Sequence, residues 1–143
     1  MKLYLTIDAM RSLVTDLLAI WNAHALDQAV GFYALDYEGV DVGAALPHYG
    51  PEGARQYISR YLEAIPDLTI AAESLIIQDD RLALAWTARG THQGKLMNIP
   101  PTDHPVQVQG VSLLTIADGK IKQGTYIWDV AGLLRQIGLL PEL

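Results

Sequence analysis

Apolar side chains at Met10, Leu13, Val14, Leu17, Leu18 and Trp21 recur three and four residues apart, which predicts a helix with one broad apolar stripe reaching about His24. Thr6 or Asp8 stands where its N-cap belongs. After a break at Asn22 to Ala25, Leu26 to Tyr33 predicts a shorter second helix with Asp27 near its start. The aromatics Tyr4, Trp21, Phe32 and Tyr33 read as core or rim packing. From Ala34 to Pro51 the periodicity fails, and polar residues mix with Gly39, Gly43 and Gly50. A short strand near Tyr37 to Val42 followed by an irregular loop is expected; the loop either closes over a pocket mouth or only connects along the surface. Pro51 and Glu52 suit the first turn of the next helix, Tyr57, Ile58, Tyr61, Leu62 and Ile65 give it an apolar face, and Pro66 stops it.

Beyond Pro66 the pattern changes from helix to strand. A strand from Asp67 toward Ile77, a polar turn at Gln78 to Arg81, and long strands over Leu82 to His92 and Val106 to Ile116 follow in order. Asp118-Gly119 reads as a hairpin turn into a last strand, Lys120 to Trp128, and Val130 to Leu134 begins a terminal helix. Helices followed by long strands predict an α+β domain, helices packed on a strongly curved mixed or antiparallel sheet, with residues 1–143 as a single domain. Small residues at Ala83, Ala85, Ala88 and Gly90 leave room for bending, close helix packing or a cavity.

Composition narrows the function classes. Ten basic residues against sixteen acidic ones, a net charge of -6, and no basic cluster disfavour nucleic acid as a partner. Without cysteine, thiolate chemistry and disulfides are excluded. The apolar run at the start is too short for a signal peptide, and no run is long enough to span a membrane, so a soluble cytoplasmic protein is the expectation. No Gly-x-Ser-x-Gly elbow or glycine-rich phosphate loop is present, and His24, His48, His92 and His104 show no zinc-site spacing.

Two residues carry candidate chemistry. Asp129 follows Trp128 where the last strand gives way to the terminal helix. Burial beside the indole would raise its pKa and poise it as a proton acceptor from a carbon acid, whereas the same position also suits a helix N-cap. His92 lies on the alternating set that carries Leu82, Leu84 and Trp86, so it could face the same interior and donate to an enolate oxygen, or be a satisfied histidine at the core edge.

Trp86 to Gly94 with Leu96 to Thr102, and Trp128 to Gly138, resemble the SnoaL-like polyketide cyclases and related ester cyclases; Phe32-Tyr33-Ala34, Gly53 to Tyr57 and Ile65 to Leu68 fall in compatible order. The resemblance implies a cone-shaped α+β barrel like that of nuclear transport factor domains, enclosing an apolar pocket. It implies a cyclase without metal or organic cofactor that closes a ring by intramolecular aldol reaction on an apolar or aromatic carbonyl compound. Asp129 would be the acid/base and His92 a second catalytic group, with Trp86, Gln109, Tyr126, Trp128, Tyr57 and Leu113 around the substrate. A homodimer through the sheet face is also implied. The chain departs from the family pattern at Glu38-Gly39-Val40-Asp41, where relatives often carry a histidine. An epoxide hydrolase, a ketone isomerase or a non-catalytic small-molecule binding domain are the alternatives on the same fold.

Overall fold

The computed structural model describes residues 4–44 and 46–143. Its elements are α1 (Ile7–Asn22), α2 (Leu26–Ala29), a 3-10 turn (Val30–Phe32), β1 (Tyr33–Asp41), β2 (His48–Tyr49), α3 (Gly50–Ala64), β3 (Thr69–Gln78), β4 (Arg81–Thr91), β5 (Pro105–Ala117), β6 (Lys120–Trp128) and α4 (Val130–Gln136). Thr6 caps α1, its hydroxyl accepting the Ala9 N–H at 3.0 Å. Asp118 and Gly119 both adopt positive φ, the conformation that a two-residue turn needs between right-twisted strands. The expected second helix stops early: Tyr33 already begins β1, which is longer than its broken periodicity suggested.

Six strands form one sheet in the order β2-β1-β6-β5-β4-β3. β3 to β6 are an antiparallel meander, and β1 lies parallel to β6, which makes the sheet mixed. The expectation of a cone-shaped barrel with a strongly curved sheet is corrected here: the sheet is open, with β2 and β3 as its two edges. β2 pairs over only two residues, Glu38 with Tyr49 and Gly39 with His48, so it offers too short a ladder to close against the far edge. Helices do the enclosing instead. α1 and α3 lie over one face, and Met10, Leu13, Val14, Ala54 and Ile58 pack on Leu82, Leu84, Leu114, Ile116 and Ile121. Among the described residues no helix is long and apolar enough to cross a membrane.

Register decides which side chains share the enclosed face. Leu84, Ser112 and Tyr126 are successive cross-strand partners, as are Trp86, Gly110 and Trp128, and Tyr126 in turn pairs with Asp41. The opposite face carries Ile76, Ala83, Leu113 and Thr125 in one row, with Val111 and Ile127 in the next.

Candidate active site

An apolar cavity of about 130 Å³, partly open to solvent, lies between the helices and the sheet. Trp21 and Leu17 of α1, Tyr57 and Tyr61 of α3, Trp86 of β4 and Leu114 of β5 are among the side chains that form it. Trp86 can lie flat there because Gly110 is its cross-strand partner; a Cβ at that position would collide with the indole. Its ring N–H is satisfied by Ser112 Oγ at 3.0 Å. Between Leu96 and Ile99, Met97 and Asn98 both take positive φ and close a tight turn that drives Leu96 into the cavity wall.

One end of this wall is polar. Asp41, the last residue of β1, is only 2% exposed. Its Oδ2 accepts from Tyr61 Oη at 2.5 Å and Tyr57 Oη at 3.0 Å, while Trp128 Nε1–H lies 3.1 Å from both carboxylate oxygens. The Gly43 backbone N–H donates to Oδ1 at 2.8 Å. A buried carboxylate is tolerable only with such partners. Tyr57, Tyr61 and Trp128 line the cavity and Asp41 does not, so the carboxylate stands one hydrogen bond behind the wall. Burial, followed by the neighbouring phenol and carboxylate, raises the Tyr57 pKa; burial and the bond to Asp41 raise that of Tyr61. Both rings are therefore neutral phenols at physiological pH.

A second chain of polar groups adjoins the first. Tyr126 is a residue of the cavity wall, and its Oη is 2.7 Å from Tyr37 Oη, which is 2.8 Å from His48 Nε2. The His48 ring stacks on Tyr57 at 4.5 Å between centroids. It fits because residue 39 is glycine: a Cβ there would run into His48 Nε2 and Tyr37 Oη. Burial and the charge of Arg60 hold the imidazole below its ordinary pKa, opposed by Asp41.

The residues expected from sequence divide between these places and others. Trp86, Tyr57, Tyr126 and Trp128 all line the cavity. Gln109 and Leu113 do not: they are exposed, and the cavity positions of β5 are Val106, Val108, Ser112 and Leu114. The side-chain period of two puts neighbouring residues on opposite faces. Asp129 is also exposed, so the premise of burial beside Trp128 does not hold; its Oδ1 accepts the Gly132 N–H at 2.8 Å and caps α4. His92 is fully buried but outside the cavity lining. Its Nδ1 is 3.0 Å from Thr102 Oγ1, which ties the end of β4 to the following loop, and among the described residues its Nε2 has no hydrogen-bond partner.

Sequence reasoning missed Asp41, Tyr61, Tyr37 and His48 as site residues. The signal for Asp41 was its parity: in β1 the buried positions are Tyr33, Tyr37, Gly39 and Asp41, so a carboxylate occupies the inward set. Tyr57 and Tyr61 are four apart on one helix face, a spacing that lets two phenols converge on one acceptor. Among the described residues no three His, Asp or Glu side chains come together where they could hold a metal ion.

The chain is similar to several known proteins. Over 49 residues it is 43% identical to nogalonic acid methyl ester cyclase of Streptomyces nogalater, a match that takes in 34% of this chain and 37% of that relative's length. The structure superposes on AclR, a candidate hydroxylase from Streptomyces galilaeus, with a TM-score of 0.84 and 25% identity over 96% of this chain and 90% of that one. TsrD of Streptomyces laurentii shares the fold at a TM-score of 0.85 and 24% identity, over 95% of this chain and 99% of its own. The profile of the SnoaL-like polyketide cyclases matches residues 11–137, nearly the whole chain, with the cavity and its polar wall inside that span. On that match the protein belongs to the SnoaL-like polyketide cyclase family, with its nuclear transport factor-like fold.

Proposed function

We propose that the protein is a cyclase that closes a ring in an aromatic carbonyl compound by intramolecular aldol addition, with Asp41 acting through Tyr61 as the proton acceptor. The observation that carries this reading is the 2.5 Å bond from Tyr61, on the wall of an apolar cavity, to a carboxylate buried behind it. A proton on a carbon between two carbonyl groups passes to Tyr61 Oη as the phenol's own proton passes to Asp41 Oδ2. The C–H electron pair becomes an enolate, which attacks the second carbonyl carbon. A C–C bond forms, the C=O π pair moves to oxygen, and the resulting alkoxide takes up a proton. A cavity of about 130 Å³ accepts the reacting ring and leaves the rest of a polycyclic substrate in the open mouth. The apolar lining holds the two carbonyl-bearing arms close, which is where much of the rate gain of an intramolecular step arises.

The Asp129 assignment that the family resemblance implies is replaced in this reading by Asp41, because Asp129 is exposed and engaged as a cap. Nogalonic acid methyl ester is the natural probe, since it names the relative that shares 43% identity over the matched stretch. Incubation should give an isomer of unchanged mass, separable by chromatography, and Asp41→Asn should give none. A wild-type protein that binds the ester and returns it unchanged would establish a binding domain instead, the reading that a carboxylate with all its acceptor sites filled would favour. A second copy of the chain is the partner proposed for the outer sheet face, where Leu113 and Ile127 are 44% and 45% exposed.

A further inference from the structure

Tyr126, Tyr37 and His48 form a line of three hydrogen-bonding groups with no gap longer than 2.8 Å. One end, Tyr126, is a residue of the cavity wall, and the other, His48, is a half-buried ring on the two-residue edge strand β2. Tyr37 is 1% exposed and Tyr126 9%, and two phenols in an apolar interior are ordinarily satisfied by backbone carbonyls or by one another. Here the pair is extended to an imidazole brought in from a different strand, and residue 39 is a glycine whose lack of a side chain keeps His48 Nε2 in reach of Tyr37 Oη. The two polar chains meet the cavity at separate phenols: Tyr57 and Tyr61 lead to Asp41, and Tyr126 leads to His48.

We infer that Tyr126, Tyr37 and His48 are a proton relay that delivers a proton from the half-exposed imidazole to the alkoxide made at ring closure. The inference rests on the aldol reading of the cavity and adds the acid to its base. His48, protonated from solvent, gives its Nε2 proton to Tyr37 Oη; Tyr37 gives its own to Tyr126 Oη; Tyr126 gives its own to the alkoxide oxygen. The histidine ends neutral with the proton on Nδ1, and both tyrosines end as they began. The proton taken from the substrate carbon leaves Asp41 to solvent, so the cycle closes without net charge. Tyr126 touches the substrate; Tyr37 and His48 are positioning residues that act through it.

The groups that face His48 set its working range. Arg60 and Tyr57 lie on α3, Asp41 and Tyr37 on β1, and Tyr126 on β6. Burial and Arg60 lower its affinity for a proton and Asp41 raises it. The imidazolium is consequently a stronger acid than a free histidine, as delivery through two phenols demands. Because the charged form is the donor, turnover falls as pH rises through the His48 pKa, and that limb lies on the acid side of the ordinary histidine value.

The test is turnover of nogalonic acid methyl ester by wild type, Asp41→Asn, Tyr37→Phe and His48→Ala, with quenching of tryptophan fluorescence as the measure of binding. Tyr37→Phe, which keeps the ring and removes only the middle hydroxyl, should bind the ester as wild type does while kcat falls by about 100-fold. His48→Ala should lose the descending pH limb, and added imidazole, entering the space left by the ring, should restore a large part of kcat. A structural role alone would not give that rescue. If wild type turns over, Asp41→Asn does not, and Tyr37→Phe keeps full kcat with the wild-type pH profile, the relay is wrong and the cyclase reading stands. If wild type leaves the ester unconverted, the cyclase reading fails and the relay's role falls with it.

Discussion

Tyr61 Oη sits 2.5 Å from Asp41 Oδ2, so a helix residue on the cavity wall and the last residue of a strand share one short, charge-assisted hydrogen bond. The two residues lie on α3 and β1, elements separated by the loop and the two-residue strand β2. Replacing Asp41 tests structure and chemistry together. Asp41→Ala leaves Tyr57, Tyr61 and Trp128 with buried donors and no acceptor, and should cost roughly 2–4 kcal/mol in urea unfolding. Asp41→Asn keeps the shape and one acceptor oxygen, so it should fold with a smaller loss, yet turn over no ester. A folded, fully active Asp41→Asn would remove the carboxylate from the mechanism.

Asp129 gives the complementary case. Its side chain holds the Gly132 N–H at the start of α4, and Asn is as good an N-cap as Asp. Asp129→Asn should therefore leave both stability and ester turnover near wild type, while Asp129→Ala should cost about 1 kcal/mol of stability. Loss of turnover in Asp129→Asn with the melting temperature intact would return the catalytic role to this residue.

His48 makes stability depend on pH in a stated direction. Its pKa in the folded protein lies below the unfolded value of 6.5, so the unfolded chain binds more protons in that window. The contribution is fully present above the unfolded value and is lost as pH falls through the folded one. Melting temperature should drop between pH 7 and pH 5, about where histidine titrates, and His48→Gln should flatten that part of the curve. An unchanged slope in the variant would mean that His48 does not carry it; Asp36 and Asp67, whose carboxyls Lys122 and Thr91 hold below the ordinary carboxylate value, affect stability only at lower pH.

The outer face of the sheet carries Leu113 at 44%, Ile127 at 45% and Ile76 at 67% exposure. If a second copy covers this face, light scattering should give twice the chain mass, and Leu113→Asp should give a monomer that still binds the ester, since the cavity lies on the other side of the sheet. A monomer at working concentration for wild type would rule the dimer out.

Local pattern made much of this protein legible. The three-and-four spacing from Met10 to Trp21, the proline that opens α3, the long β-branched strands and the Asp118-Gly119 turn each act within a few residues, and each appears in the structure where the pattern put it. Family membership followed from two contiguous motifs. What tertiary structure alone decided was pairing between distant segments. The parallel alignment of β1 with β6 sets Asp41 beside Tyr126 and brings Trp128 to its carboxylate, and no local spacing encodes that neighbourhood. A two-residue edge strand left the sheet open where a closed barrel was expected, and it delivered His48 to Tyr37 over a glycine. Strand parity, fixed by register, turned Gln109 and Leu113 outward, and backbone geometry at the end of β6 committed Asp129 to a helix cap. The chain's own sequence sets which elements form because those forces are short in range; the site's membership depends on which strands meet, and only the folded sheet determines that.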